Sequence, residues 1–197
     1  MALSKIGTNS LEDLSVTSGK VANDNIGPTQ LNEAANYDFT GTVTGAGGNM
    51  TPAFSAQRYS GSVTLNDNTF TDIIFDNEIL DTDSAFNTST GVFTVPTGKG
   101  GKYFIGINLM FADGQGNGSD WIGNLVINTS NNYVIRYEST SNATTFTQVT
   151  NSWSSILDLS AGDALKVQGY VDTNDSSAAE LIHQNFKTSF YGYKIIE

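Results

Sequence analysis

One glycine-rich loop carries the carboxylates best suited to binding a metal ion. It runs from Asp113 to Asp120 and reads Asp-Gly-Gln-Gly-Asn-Gly-Ser-Asp. Two carboxylates, one amide and flexible glycines are ligands and geometry that suit Ca²⁺. The spacing differs from the helix–loop–helix calcium pattern, so a solvated glycine-rich loop is the competing interpretation. Asp113 and Asp120 are therefore predicted calcium ligands, and no other cofactor is expected.

The chain offers little material for catalysis. It has one histidine, His183, and no cysteine, so histidine- and thiol-based nucleophilic sites lack their central groups. A lone histidine in a polar loop is expected to be structural or exposed, and a zinc site is equally unsupported. Residues 98–101, Gly-Lys-Gly-Gly, lack the Ser or Thr of a phosphate-binding loop and indicate a turn. No carboxylate pair is marked for glycoside hydrolysis, and we predict a non-enzymatic protein.

Composition limits the partners and the fold. The 197 residues suffice for one sizeable domain with an appendage, and 38 % of them are apolar. A net charge of −11 repels nucleic acid and anionic membranes, so neither is an expected partner. No apolar run is long enough to span a bilayer, so membrane insertion is not expected. The start, Met-Ala-Leu-Ser-Lys, has no visible secretory leader, which favours another route out of the cell, such as particle assembly and lysis.

Short β segments separated by turns fill the chain from residue 52 onward. The clearest is a strand from Gly101 to Phe111 whose alternate residues form a large apolar row: Tyr103, Ile105, Ile107, Leu109 and Phe111. The period of two places this row on one buried face of a sheet. Asp72–Leu80 is predicted as one extended piece with Ile73, Phe75 and Ile79 on one face. Hairpins are predicted at residues 131–132 and 160–163. Turns about every 10 residues, without helical stretches, predict an all-β sandwich or barrel.

Two strands carry apolar residues on their second face as well. Phe104 and Met110 lie opposite the main apolar row, and Tyr191 and Tyr193 lie opposite Phe190 in the last strand. A monomeric sandwich would expose that second face to water. Another subunit is the simplest cover, so Tyr191 and Tyr193 are predicted interface residues.

The N-terminal residues 1–44 follow a different pattern, with one aliphatic residue in every five: Leu11, Val16, Val21, Ile26 and Leu31. Neither a helix nor a strand repeats at five, but three chains could direct Val16, Val21, Ile26 and Leu31 at a shared axis. The repeat resembles those of bacteriophage fibre and virion appendage proteins. A disordered polar arm is the alternative. Residues 45–51 are glycine-rich and predict a hinge before the domain at residues 52–197.

The spacing of the aromatic residues resembles a known family signature. Phe75, Asp81, Phe86, Phe93 and Gly101-x-Tyr103 follow the order seen in the complement C1q globular-head domain, a trimeric jelly roll shared with the tumour-necrosis-factor superfamily. Residues 52–56, 159–165 and 188–193 resemble the family's opening strand, its Gly-Asp turn and its closing strand. The turn before Gly101 is two residues longer than usual. The resemblance implies a C1q-like jelly roll and a homotrimer, with Phe75, Phe86, Phe93 and Tyr103 in the core.

The acidic residues around this signature have no assigned chemistry. They are Asp72, Asp76, Glu78, Asp81 and Asp83. Asp81 fits a structural position of the resemblance, and the other four are expected to be solvated.

Together these features predict a homotrimeric, virion-located protein of a tailed bacteriophage that attaches to a host-surface glycan or protein. The N-terminal segment would bind other virion proteins, and polar loops would form the contact surface: Asn117, Ser119, Ser139, Ser141, Asn142 and Thr144. One alternative is a capsid decoration (head fibre) or tail structural protein without receptor binding. Another is a secreted C1q-like binding module. A polysaccharide depolymerase is the enzymatic alternative.

Overall fold

The computed structural model of the chain describes residues 50–113, 118–138, 148–183 and 186–195. Over these residues the protein is all-β and contains no helix, and hence none long and apolar enough to cross a membrane. The strands are β1 Ala53–Gln57, β2 Val63–Leu65, β3 Thr71–Asp72, β4 Asn77–Asp81, β5 Phe86–Asn87, β6 Val92–Thr94, β7 Gly101–Ala112, β8 Gly118–Ile127, β9 Ser130–Glu138, β10 Gln148–Leu159, β11 Ala164–Thr173, β12 Ala179–Leu181 and β13 Ser189–Lys194.

The strands form two sheets of a jelly-roll sandwich. The first sheet has the order β2-β12-β7-β13-β1-β4, and β10 pairs with β7. The second has the order β5-β6-β11-β8-β9, and β3 also pairs with β11. The first and last strands, β1 and β13, are antiparallel neighbours. The two ends of the domain therefore lie side by side in the first sheet. The two sheets pack face to face, and each directs one face toward a shared core.

The core is built on β7, as the sequence predicted. The five residues of its apolar row, Tyr103, Ile105, Ile107, Leu109 and Phe111, are all 0 % exposed. Phe75, Phe86 and Phe93 are buried too, so the core assignment of the aromatic signature is confirmed.

A stack of aromatic rings joins the two sheets. Phe54 of β1 lies parallel to Phe93 of β6, with ring centroids 4.2 Å apart, and also stacks on Phe86 of β5 at 5.6 Å. Phe190 of β13 meets Phe54 edge-on at 4.8 Å. Such aromatic pairs add about 0.5–1.5 kcal/mol each beyond their buried area. The stack therefore fixes the first and last strands of the domain against the β5–β6 hairpin.

The extended piece predicted from Asp72 to Leu80 is split between the sheets. β3 pairs with β11 in the second sheet, whereas β4 pairs with β1 in the first. Ile73 and Phe75 are buried but Ile79 is 50 % exposed, so the prediction that these three residues share one face is wrong. The alternation breaks because the chain crosses from one sheet to the other between Asp72 and Asn77.

Two predicted hairpins also differ from the structure. The turn at residues 160–163 joins β10, which pairs with β7, to β11 in the other sheet, so it crosses the sandwich instead of closing a hairpin. Asp163 closes this turn, since its Oδ2 accepts a hydrogen bond of 2.8 Å from the Ser160 amide. The turn between β8 and β9 lies at Asn128–Thr129, earlier than predicted, and Asn128 has φ 56°. Asparagine tolerates this left-handed conformation better than most residues.

Four members of the acidic group have structural partners. Asp81 Oδ2 accepts a 2.8 Å hydrogen bond from the Phe86 amide, which confirms its structural position. Asp76 was expected to be solvated, but its side chain is only 19 % exposed and lies 3.4 Å from Arg58 Nη1. Asp72 is exposed and accepts a 2.8 Å hydrogen bond from Lys166 Nζ. Asp83, whose side chain is 20 % exposed, accepts a 2.6 Å hydrogen bond from Thr82 Oγ1 and lies 3.8 Å from Lys99 Nζ. The expectation of simple solvation is thus wrong for Asp76 and Asp83 and incomplete for Asp72.

Candidate binding surface

The strand ends next to the predicted binding loops lie at one end of the sandwich, called the loop end here. In the ladders, Ala112 lies opposite Gln148 and Asp120 lies opposite Glu138. Gly118 lies opposite Thr173 at the end of β11. The other end, called the base, holds the starts of β1 and β7 and the end of β10. Strand ends that are far apart in sequence therefore lie together at the loop end.

The two predicted calcium ligands both lie at the loop end. Asp113 follows β7 directly and is only 2 % exposed, whereas Asp120 lies within β8 and is partly buried. Asp120 is directly opposite Asp172 on one side and Glu138 on the other. Within the described part of the chain, no three acidic or histidine side chains are grouped so that they could hold a metal ion. The calcium site stays a prediction.

Of the predicted contact residues, the structure describes Ser119. Its Oγ donates a 3.1 Å hydrogen bond to the Asp172 carbonyl, so this hydroxyl links β8 to β11. The others lie outside the described residues, and these are Asn117, Ser139, Ser141, Asn142 and Thr144. The same holds for Val16, Val21, Ile26 and Leu31, predicted to face a trimer axis. The boundaries proposed at residues 44 and 51 stay predictions as well.

An aromatic pair at the loop end, of which Phe70 is exposed and Tyr170 is partly buried, was missed from the sequence. Phe70 is 43 % exposed, and its ring centroid lies 4.8 Å from that of Tyr170 with the planes tilted by 36°. Tyr170 OH donates a 2.7 Å hydrogen bond to Asn68 Oδ1. The available signal was the run Asn66-Asp67-Asn68, three turn-forming residues separated from Phe70 only by Thr69.

A hydrogen-bonded turn holds this pair in place. Asp67 Oδ1 accepts hydrogen bonds from the amide and the hydroxyl of Thr173, at 2.7 and 3.1 Å. The Thr173 amide, followed by the Asn68 side chain, holds the pKa of the Asp67 carboxyl below its usual range. Asn68 has φ 55° and its amide donates a 2.9 Å hydrogen bond to the Val171 carbonyl. The turn is therefore attached to the end of β11 by backbone and side-chain bonds.

Tyr191 and Tyr193, the predicted interface residues, lie on the outer face of the first sheet. Tyr193 is 37 % exposed, lies opposite Phe104 in the ladder and stacks on it with centroids 5.4 Å apart. Ile156, opposite Phe104 on its other side, is 59 % exposed. The Tyr191 ring covers Gly106, where an added Cβ would clash with the ring. The result is an apolar strip across three strands, which we call the outer strip: Ile156, Phe104, Tyr191 and Tyr193.

Two further features do not assemble a site. A groove of about 540 Å³ near the base is lined by residues including Asp83 and Asn87. Asp83 accepts a hydrogen bond from Thr82, and Asn87 Oδ1 accepts from two amides of its own turn. Asp83 also lies 3.8 Å from Lys99 Nζ, so the polar groups of both residues already have partners within the protein. His183 Nδ1 lies 3.2 Å from Ser62 Oγ, a single polar contact on a partly buried ring.

Known structures share this fold at low sequence identity. The globular domain of zebrafish complement 1qA superimposes with a TM-score of 0.51 at 15 % identity, over 73 % of this chain and 97 % of that one. The Eiger TNF of S. frugiperda gives 0.53 at 16 % identity, over 73 % and 93 % of the two chains. Murine APRIL gives 0.53 at 12 % identity, over 73 % and 98 %. These similarities establish the fold.

Sequence comparison supplies the family. No curated protein matches the chain significantly. The profile of the C1q domain matches residues 53–195, which include all thirteen strands of the sandwich. The chain therefore belongs to the C1q domain family.

Proposed function

We propose that the protein is a homotrimeric attachment module of a bacteriophage virion, whose C1q-type domains bind a host-surface glycan or protein. The observation that carries the proposal is the outer strip. Large apolar side chains that are exposed together on a sheet mark a surface that binds another protein. A second and a third copy of the same chain would cover the strip in a closed assembly. The five-residue aliphatic repeat at residues 11–31 supports the trimer and the assignment to a virion.

The positions of the two ends of the sandwich support a binding role. β1, which follows the N-terminal segment in sequence, starts at the base. The strand ends that adjoin the predicted contact loops lie at the opposite end. Attachment through the N-terminal segment would leave the loop end available for a ligand. Three loop ends in one trimer would add avidity without any new contact.

Cryo-electron microscopy of particles that carry an antibody against the C1q-type domain tests the virion assignment. Label on tail fibres is expected. Label on the capsid shell would indicate the decoration alternative, and absence of label from intact particles would favour the secreted module. Incubating the purified trimer with host cells before adding particles then tests attachment, and reduced particle adsorption is expected. Polysaccharide that stays uncut during incubation with the protein would remove the depolymerase alternative.

A further inference from the structure

The aromatic pair of Phe70 and Tyr170 at the loop end has the chemistry of a sugar-binding surface. We propose that Phe70, Tyr170 and Asp172 bind an uncharged saccharide, with the apolar face of one pyranose ring against Phe70 and its hydroxyl groups donating to Asp172. This inference rests on the proposed attachment function and names its ligand class and its site. None of the three residues belongs to the predicted contact loops.

The geometry places an aromatic face beside hydrogen-bonding groups. Tyr170 and Asp172 alternate with buried residues of β11, so both side chains point away from the core. Residues two apart on a strand are separated by about 7 Å, which is close to the width of a pyranose ring. The Asn68 side chain bridges Tyr170 and Asp172. Asn68 Oδ1 accepts a 2.7 Å hydrogen bond from Tyr170 OH, and Asn68 Nδ2 lies 3.4 Å from Asp172 Oδ1.

The surface is held in position before any ligand arrives. Phe70 packs against Tyr170, and the turn that precedes Phe70 is bonded to Val171 and Thr173. Phe70 is nevertheless 43 % exposed, so much of its side chain is open to solvent. A rigid aromatic side chain loses little conformational entropy when a ligand binds, which favours recognition by a small contact area.

The carboxylates of Asp67 and Asp172 favour an uncharged ligand with many hydrogen-bond donors. Neither Asp67 nor Asp172 forms an ion pair with any other residue that the structure describes. Asp172 Oδ2 accepts no hydrogen bond from those residues, so it is available to sugar hydroxyl groups. Two carboxylates on a chain of net charge −11 disfavour sialic acids, uronic acids and sulfated sugars.

The test uses the full chain on an array of glucose, galactose and N-acetylglucosamine oligosaccharides, next to sialylated oligosaccharides and oligolysine. Wild-type protein is expected to bind at least one uncharged oligosaccharide. Phe70→Ala should weaken this binding at least tenfold, whereas Phe70→Trp should retain it. Ile79→Ala, which removes a similarly exposed apolar side chain from β4, is the matched control and should bind like wild type. Melting temperatures confirm that each variant folds.

Asp172→Asn separates sugar from cation recognition. An amide oxygen still accepts hydrogen bonds, so sugar binding should fall only a few-fold, and Asp172→Ala should remove it. Preferential binding of oligolysine that Asp172→Asn abolishes would overturn the proposal in favour of a cationic ligand. Equal sugar binding by Phe70→Ala and wild type, or no binding to any uncharged oligosaccharide, would also overturn it. The attachment function would still stand if the trimer reduced particle adsorption, because that experiment also reports protein receptors.

Discussion

Asp76 shows how single side chains stabilise the connections of this sandwich. Its Oδ1 accepts a 2.7 Å hydrogen bond from the Tyr59 amide, and its Oδ2 accepts one of 3.0 Å from Ser60. Partial burial alone would raise the pKa of this carboxyl. The hydrogen bonds from Ser60 and Tyr59, with the charge of Arg58, outweigh burial and lower the pKa below its ordinary value. Asp76 therefore favours the folded state in its ionised form.

Replacing Asp76 by Asn should destabilise the protein near pH 7 by about 1 kcal/mol, the usual contribution of one such hydrogen bond. A carboxyl whose pKa is lower in the folded state stabilises folding above its unfolded pKa of about 3.9, and this contribution is lost as the pH falls through the folded pKa. Thermal melts of wild type and Asp76→Asn should therefore converge below about pH 4. Glu180→Gln, at an exposed position of β12, is the control. A constant difference from pH 7 to pH 3 would contradict this account.

Calcium binding by Asp113 and Asp120 can be measured directly in solution. Asp113 and Asp120 both lie at the loop end, and carboxylate oxygens are ligands that Ca²⁺ prefers. Isothermal titration of metal-stripped protein with Ca²⁺ should give measurable heat and raise the melting temperature, and Asp120→Asn should reduce both. A titration without heat, together with an unchanged melting temperature, would remove the calcium site.

Among the elements, the β5–β6 hairpin depends on Phe93. Its ring stacks on Phe54 and lies 6.0 Å from Tyr103. Truncating a buried phenylalanine to alanine costs about 3–5 kcal/mol. Phe93→Ala should lower the urea midpoint accordingly, while Thr94→Ala at the exposed neighbouring position should leave it nearly unchanged. Measurements at one protein concentration avoid a contribution from assembly. A loss below about 1 kcal/mol would show that the stack is not a core element.

How well the sequence predicted each element depends on whether the chain stays in one sheet. The row from Tyr103 to Phe111 was predictable because twelve residues of β7 keep one alternation against one core. Ile79 was wrongly assigned to the face of Ile73 and Phe75 because β3 and β4 belong to different sheets. The alternation of apolar residues does not show where the chain passes from one sheet to the other. Phe70 was missed because the turn that exposes it is bonded to Val171 and Thr173, about a hundred residues later.

We expect the outer strip to be buried between the three copies of the trimer. Tyr193→Glu places a charge at a position that is already 37 % exposed in one chain, so the isolated domain should fold normally. In a trimer the same charge would be buried without a partner, which is strongly unfavourable. Sedimentation velocity should therefore show smaller species for Tyr193→Glu than for wild type. Phe70→Glu, an exposed aromatic position outside the strip, should leave the sedimentation coefficient unchanged.

The mass of the wild-type protein in solution shows whether three chains assemble. Light scattering coupled to size exclusion should give three times the chain mass of 21.0 kDa. The measured mass should stay constant over a tenfold range of protein concentration if the outer strip is fully buried between copies. A mass of one chain at every concentration would contradict the trimer, and with it the attachment module built on three loop ends.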